Sequence, residues 1–70
     1  MTKQINHVED FVTFLLQERQ RQSLSQDALA FIAKTHVSTI KSVEARRHTT
    51  SLVKALKIIN ALGYKIMISK

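Results

Sequence analysis

The first part of the chain carries apolar residues at the spacing of one helical face. This face holds Val8, Phe11, Val12, Leu15 and Leu16, and Arg19 continues it. A recurrence at i, i+3, i+4 and i+7 is typical of an amphipathic helix. Asn6 is a suitable N-cap, and Glu9 three residues later completes a capping-box-like start. The pattern predicts a first helix over about residues 7–22.

The next segment predicts a shorter second helix. Ser25 is a favourable N-cap residue, and Asp27 in the first turn complements the helix dipole. The run from Ala28 to Ala33 is rich in alanine, the strongest helix former. Because Lys34-Thr35-His36 interrupts the apolar pattern, we expect a tight turn there.

A third helix is predicted from about Val37 to Ala45, with Ile40 and Val43 facing inward. The polar residues 46–49 then predict a connection. Two short helices joined by a tight turn near residues 34–36 have the layout of a helix-turn-helix unit.

A fourth helix follows, and Thr50 or Ser51 is its expected N-cap. Its predicted inner stripe consists of Leu52, Ala55, Leu56, Ile59 and Leu62. Gly63 stands where a helix commonly ends in a left-handed residue.

The apolar period changes after the glycine. Residues 64–69 alternate, with Tyr64, Ile66 and Ile68 on one side, which predicts a strand. No other segment has this pattern, and a strand needs a neighbour for its backbone hydrogen bonds. We therefore expect two copies of the strand to pair antiparallel across a homodimer. The expected domains are a helix-turn-helix unit over residues 1–62 and a dimerisation strand over 63–70, in an all-α fold of four to five helices.

Composition supports a second subunit. A chain of 70 residues buries a smaller fraction of its surface than a larger domain does, so its stability as a single domain is marginal. Disulfides, a structural metal or oligomerisation usually supply the missing stability. The sequence has no cysteine, and its three histidines lie far apart, so we expect no structural metal. We also expect no cofactor. No apolar run reaches membrane-spanning length and no signal-peptide core is present, so we expect a cytoplasmic, nucleoid-associated protein.

Charge is distributed unevenly along the sequence. The formal net charge is +6. Residues 1–33 carry three basic and four acidic side chains, whereas residues 34–70 carry eight basic side chains and only Glu44 as an acid. Such a basic half is equally compatible with nucleic-acid binding and with a solvated surface.

The helix-turn-helix segment resembles a known family. Leu24-Ser25-Gln26-Asp27-Ala28-Leu29-Ala30, then Ser38-Thr39-Ile40 and Val43-Glu44, match the phage-repressor (Cro/C1, or XRE) pattern without insertions. The resemblance covers about residues 11–62 and implies binding of double-stranded operator DNA, with the third helix in the major groove. In that family, residues at the positions of Arg19 and Glu44 pair beneath the recognition helix, and we expect the same here.

The resemblance also implies individual DNA-binding roles. Gln26 corresponds to a position that contacts phosphate and sometimes a base. The groove-facing positions are His36, Val37, Ser38, Lys41 and Ser42. Lys34, Arg46 and Arg47 flank this helix and are suited to phosphate contacts. Lys41 can donate to guanine, and Val37 can contact a thymine methyl group.

Several residues depart from the family pattern. Lys34 replaces the usual turn glycine, so either it adopts a positive φ or the turn differs. Arg46 also replaces a glycine. Phe31 and Ile32 are apolar where polar residues are usual. We expect them either to fill core space beside the small Ala33, or to form a patch for a protein partner.

The segment after residue 49 is similar to HipB-type antitoxins, whose fourth helix is followed by a short strand. This resemblance implies a dimer that represses its own operon and binds a HipA-like kinase toxin. The alternatives are a phage-type repressor without a toxin, and a protein-interaction module on a helix-turn-helix scaffold. An enzyme is not expected, because the sequence has no phosphate-binding glycine loop and no evident nucleophile–base pair.

Overall fold

The computed structural model describes residues 4–45 and 51–70. It contains the four helices α1 (Val8–Arg21), α2 (Gln26–Ala33), α3 (Val37–Glu44) and α4 (Leu52–Ala61). The described residues include no fifth helix and no strand. The predicted all-α helix-turn-helix bundle is therefore confirmed. The connection at 46–49 and the alternative cap Thr50 lie outside the described residues.

The start of α1 differs from the prediction by one residue. Its N-cap is His7 rather than Asn6. Asp10, not Glu9, provides the carboxylate of the capping interaction, since its Oδ2 accepts hydrogen bonds from the backbone N–H groups of Asn6 at 3.0 Å and His7 at 3.2 Å. The reason is geometric, because the third helical position counted from His7 is residue 10.

Two serine caps agree with the predictions. Ser25 Oγ accepts a hydrogen bond from the backbone N–H of Ala28 at 3.0 Å. Ser51 Oγ accepts one from the backbone N–H of Lys54 at 3.2 Å. Each serine thereby satisfies one backbone donor that has no partner within its helix.

Three helices are followed, within two residues of their last residue, by a residue with positive φ. These residues are Ser23 (φ 56°), Lys34 (φ 57°) and Gly63 (φ 92°). At the end of α2, the backbone N–H of Thr35 donates to the carbonyl of Ala30 at 3.0 Å, as in a Schellman motif. Gly63 is thus confirmed as a left-handed residue, and Lys34 adopts the conformation that the family usually assigns to glycine.

The core lies between all four helices, and its most deeply buried side chains are Val12, Leu15, Leu29, Ile40 and Ile58. Ile40 and Val43 face inward as predicted.

The inner face of α4 differs from the predicted stripe. Leu52 is 71% exposed, whereas Ile58, which the prediction left out, is fully buried. This helix is apolar on most of its circumference, so its sequence is compatible with two overlapping stripes. Packing against the other helices selects the one that contains Ile58, Ile59 and Leu62. Val8 on α1 was likewise predicted to face inward and is exposed.

Phe31 and Ile32 do not fill the core. Their exposed fractions are 85% and 48%. Leu29, Ala30 and Ala33 occupy the buried face of α2, and residues 31 and 32 lie outside that face. The core-filling interpretation is therefore wrong.

The predicted strand over residues 64–69 is not formed in the single chain. Tyr64 is half-buried against the domain, and Ile68 is 95% exposed. A strand requires a backbone partner, and the described residues provide none.

Candidate nucleic-acid interface

The unit formed by α2, the turn and α3 is compact. Ala30 is 4% exposed, and its small side chain allows the two helices to approach closely. Lys34 reverses the chain direction with its left-handed backbone, and His36 is the N-cap of α3. The turn therefore holds α3 at a defined angle to α2 although it contains no glycine.

The recognition-helix candidate α3 has two distinct faces. Ile40 and Val43 are buried against the core. Ser38 and Lys41 are exposed on the other side, and His36 is exposed at the helix start. Val37 and Ser42, which the family resemblance also assigned to the groove, are half-buried. The exposed face thus combines one cation with hydroxyl and imidazole groups, which can read base edges.

An ion pair fixes the end of α3 to α1. Arg19 Nε lies 2.6 Å from Glu44 Oε2, and Arg19 Nη2 lies 3.2 Å from Glu44 Oε1. Arg19 also donates through Nη1 to the carbonyl of Leu24 at 2.9 Å. The side chains of Arg19 and Glu44 are only 16% and 8% exposed, so this two-point contact is shielded from water.

Gln26 has a partner that the sequence analysis missed. Its Nε2 donates to Glu44 Oε1 at 2.8 Å, and the residue is half-buried. The first residue of α2 and the last residue of α3 are thus tied through the same carboxylate that binds Arg19. No local pattern indicates this contact, because 18 positions separate the two residues.

The structure describes the position of one of the three basic residues that flank α3 in the sequence. Lys34 is exposed at the turn, beside the start of the helix. Arg46 and Arg47 lie outside the described residues. Lys34 is therefore the flanking cation with a described position.

A second polar cluster, also missed, lies at the end of α1. Glu18 Oε1 accepts hydrogen bonds from Arg21 Nη2 at 2.8 Å and from the hydroxyl of Tyr64 at 2.8 Å. The bonds from Arg21, assisted by those from Tyr64 and Gln22, lower the pKa of Glu18 from 4.5 to about 2. Glu18 lies seven positions after Phe11, so the helical period could have placed it on the inner face.

Comparison with protein families agrees with this geometry. The family model described as Helix-turn-helix (HTH_3) matches residues 15–67. The chain therefore belongs to this family of DNA-binding transcription regulators. A comparison with curated proteins finds no significant match.

The described part of the chain has neither a membrane-spanning helix nor a cluster of metal-binding side chains. None of the helices there has the length and apolar character needed to cross a membrane. Residues 4–45 and 51–70 also contain no group of three or more histidine, cysteine or acidic side chains that could hold a metal ion.

Proposed function

We propose that this chain is a sequence-specific, operator-binding transcriptional repressor that reads the major groove with α3. The observation that carries the proposal is the two-sided character of this helix. Its inner face is buried and its end is held by Glu44, while Ser38 and Lys41 are exposed. A rigidly held helix with exposed polar side chains is what direct readout of base pairs requires.

Three side chains are proposed to read bases. Lys41 donates to guanine O6 or N7, Ser38 bonds with either type of base edge, and Val37 contacts a thymine methyl group. His36 and Ser42 lie beside them and are assigned to the same surface.

Phosphate contacts are proposed to orient the domain. The exposed Lys34 supplies one cation, and Arg46 and Arg47, which follow α3 in the sequence, supply two more. Such contacts position a protein without reading sequence. Gln26 has two amide N–H groups, one of which is bonded to Glu44. The other is available for a phosphate oxygen.

A homodimer is proposed to present two such helices to DNA. Ile66 and Ile68 are 46% and 95% exposed, and pairing of residues 64–69 with a second copy would cover them and satisfy their backbone groups. Truncation after Lys65 tests this, because it keeps Tyr64 in place. We expect the truncated chain to be monomeric in sedimentation, and a stable dimer would contradict the proposed pairing.

Selection of binding sites from random duplexes tests the operator-binding function. We expect a two-fold symmetric site whose half-site centres lie about 34 Å, or one helical turn, apart. Equal affinity for all selected duplexes at physiological salt would contradict a specific operator. The same selection on the Lys41→Ala variant tests whether α3 reads the site, since this variant should lose base preference at one position of each half-site.

A second candidate function is that of an antitoxin that represses its own operon. The observation in its favour is the exposed Phe31, with Ile32 beside it, since an exposed apolar pair on a helix is typical of a protein-binding surface. The partner implied by the family resemblance is a HipA-like kinase toxin. Co-expression of the chain with the product of an adjacent toxin-like gene, followed by co-purification, tests this function.

A further inference from the structure

The segment that follows α4 is attached to α1 by one tyrosine. The hydroxyl of Tyr64 donates to Glu18 Oε1 at 2.8 Å across 46 positions of sequence. The Tyr64 ring meets the Phe14 ring edge to face, with centroids 5.0 Å apart and planes at 79°. This contact has both a packing component and a directional polar component.

The backbone on the α4 side of Tyr64 is also held. Gln22 Nε2 donates to the carbonyl of Leu62 at 2.8 Å, and the backbone N–H of Tyr64 donates to the carbonyl of Ile59 at 3.1 Å. Gly63 turns the chain with its φ of 92°. The path of the chain is therefore defined as far as residue 64.

Exposure changes sharply beyond this point. Met67 and Ile68 are 90% and 95% exposed, although they are apolar. The last well-packed position before this apolar segment is thus Tyr64. The proposed pairing segment, residues 64–69, therefore begins at a residue that is bonded to α1, and its remaining residues extend beyond that contact.

The hydroxyl group is not required for packing alone. A phenylalanine ring would fill the same position against Phe14, and a buried carboxylate such as Glu18 costs desolvation that its partners must offset. The hydrogen bond between the Tyr64 hydroxyl and the Glu18 carboxylate has a preferred geometry. It therefore restricts the orientation of the Tyr64 ring and of the backbone that carries it.

We propose that the Glu18–Tyr64 contact is a positioning element that sets the direction in which residues 66–70 leave the domain, and thereby the separation of the two recognition helices in the dimer. This inference rests on the proposed dimeric operator-binding function. Tyr64 acts through the segment that follows it and touches no DNA in this scheme.

The test uses the full chain and a series of symmetric operators whose half-site separation changes in steps of one base pair. The wild-type chain is expected to prefer one separation. Tyr64→Phe keeps the ring but removes the hydroxyl, and we expect it to lower the ratio of affinities between the best and the neighbouring separations by about tenfold, the usual effect of a hydrogen bond to a charged group. Affinity for an isolated half-site should stay unchanged.

Two further variants keep the test decisive. Glu18→Gln retains an acceptor oxygen for the hydroxyl, so it should preserve more of the spacing preference than Tyr64→Phe does. Thr13→Ala removes an exposed hydroxyl from α1 and serves as the matched control.

The outcomes separate the two hypotheses. An unchanged spacing ratio in Tyr64→Phe, or an equal loss of affinity for operators and for the half-site, would overturn the inference alone. Failure of the wild-type chain to bind any symmetric operator would overturn the proposed function and the inference with it.

Discussion

Arg19 and Glu44 join the end of α1 to the end of α3 through two parallel contacts, Nε to Oε2 at 2.6 Å and Nη2 to Oε1 at 3.2 Å. The pair lies beneath the helix that is proposed to read DNA, and both side chains are largely shielded from water. Removal of one partner therefore leaves the other charge in a poorly solvated position.

We expect Arg19→Ala to lower the free energy of unfolding by about 3 kcal/mol, at the lower end of the range for a broken buried pair. Urea denaturation followed by circular dichroism measures this value. The exposed Lys57→Ala on α4 is the control and should change stability by less than about 0.5 kcal/mol. A loss in Arg19→Ala as small as that of the control would show that water screens the pair.

Lys41 and Lys34 are expected to contribute differently to DNA binding. Lys41→Ala should relax base preference at one position of the half-site, with a cost of about 1–3 kcal/mol on the preferred sequence. Lys34→Ala should weaken all sequences alike and reduce the salt slope by about 0.9 for each phosphate that a subunit no longer neutralises. Binding measured over a range of salt concentrations on matched and mismatched duplexes distinguishes the two. If both variants weaken binding uniformly, Lys41 contacts only the backbone.

The left-handed backbone of Lys34 makes a prediction about stability. A non-glycine residue at φ 57° is strained, so Lys34→Gly should raise the free energy of unfolding by up to about 1 kcal/mol. Ala28→Gly, in the helical part of α2, should instead lower it by about 1 kcal/mol. Thermal melting of the two variants against the wild type provides the comparison. A lower melting temperature for Lys34→Gly would mean that the lysine side chain stabilises the turn.

The lowered pKa of Glu18 predicts that the stability of the folded chain depends on pH in the acidic range. Its bonds to Arg21 and Tyr64 lower its pKa from 4.5 to about 2 in the folded chain. Between these values the unfolded chain binds more protons than the folded chain, so stability decreases as the pH falls. The contribution of Glu18 is complete above about pH 4.5 and lost as the pH falls through about 2. Denaturation midpoints of Glu18→Gln should therefore vary less over this interval. Equal pH profiles for variant and wild type would contradict the assignment.

Phe31 should matter for partner binding and not for folding. Because its side chain is 85% exposed, Phe31→Ser should change stability by less than about 0.5 kcal/mol. Leu29→Ala, on the buried face of the same helix, should cost about 2–5 kcal/mol. If Phe31→Ser abolishes co-purification of a toxin while retaining operator binding, the antitoxin function is supported. If the Phe31→Ser variant still co-purifies with the toxin, the toxin binds a different surface of the chain.

Much of the fold could be predicted from short-range patterns. The serines at 25 and 51 cap helices through bonds that reach only three residues along the chain. Gly63 ends α4 through bonds of similarly short reach. Such interactions depend on residue type and local spacing, so sequence alone identified the N-caps of α2 and α4, the helix order and the helix-turn-helix unit, whereas the N-cap of α1 is His7 and not the predicted Asn6.

The tertiary structure decided which surfaces face inward and which polar groups meet. Ile58 is buried and Leu52 exposed because the other helices select one of two apolar stripes that the period of α4 allows. Gln26 meets Glu44, and Tyr64 meets Glu18, across 18 and 46 positions of sequence. These contacts depend on how helices cross, and the local spacing of residues carries no record of that geometry.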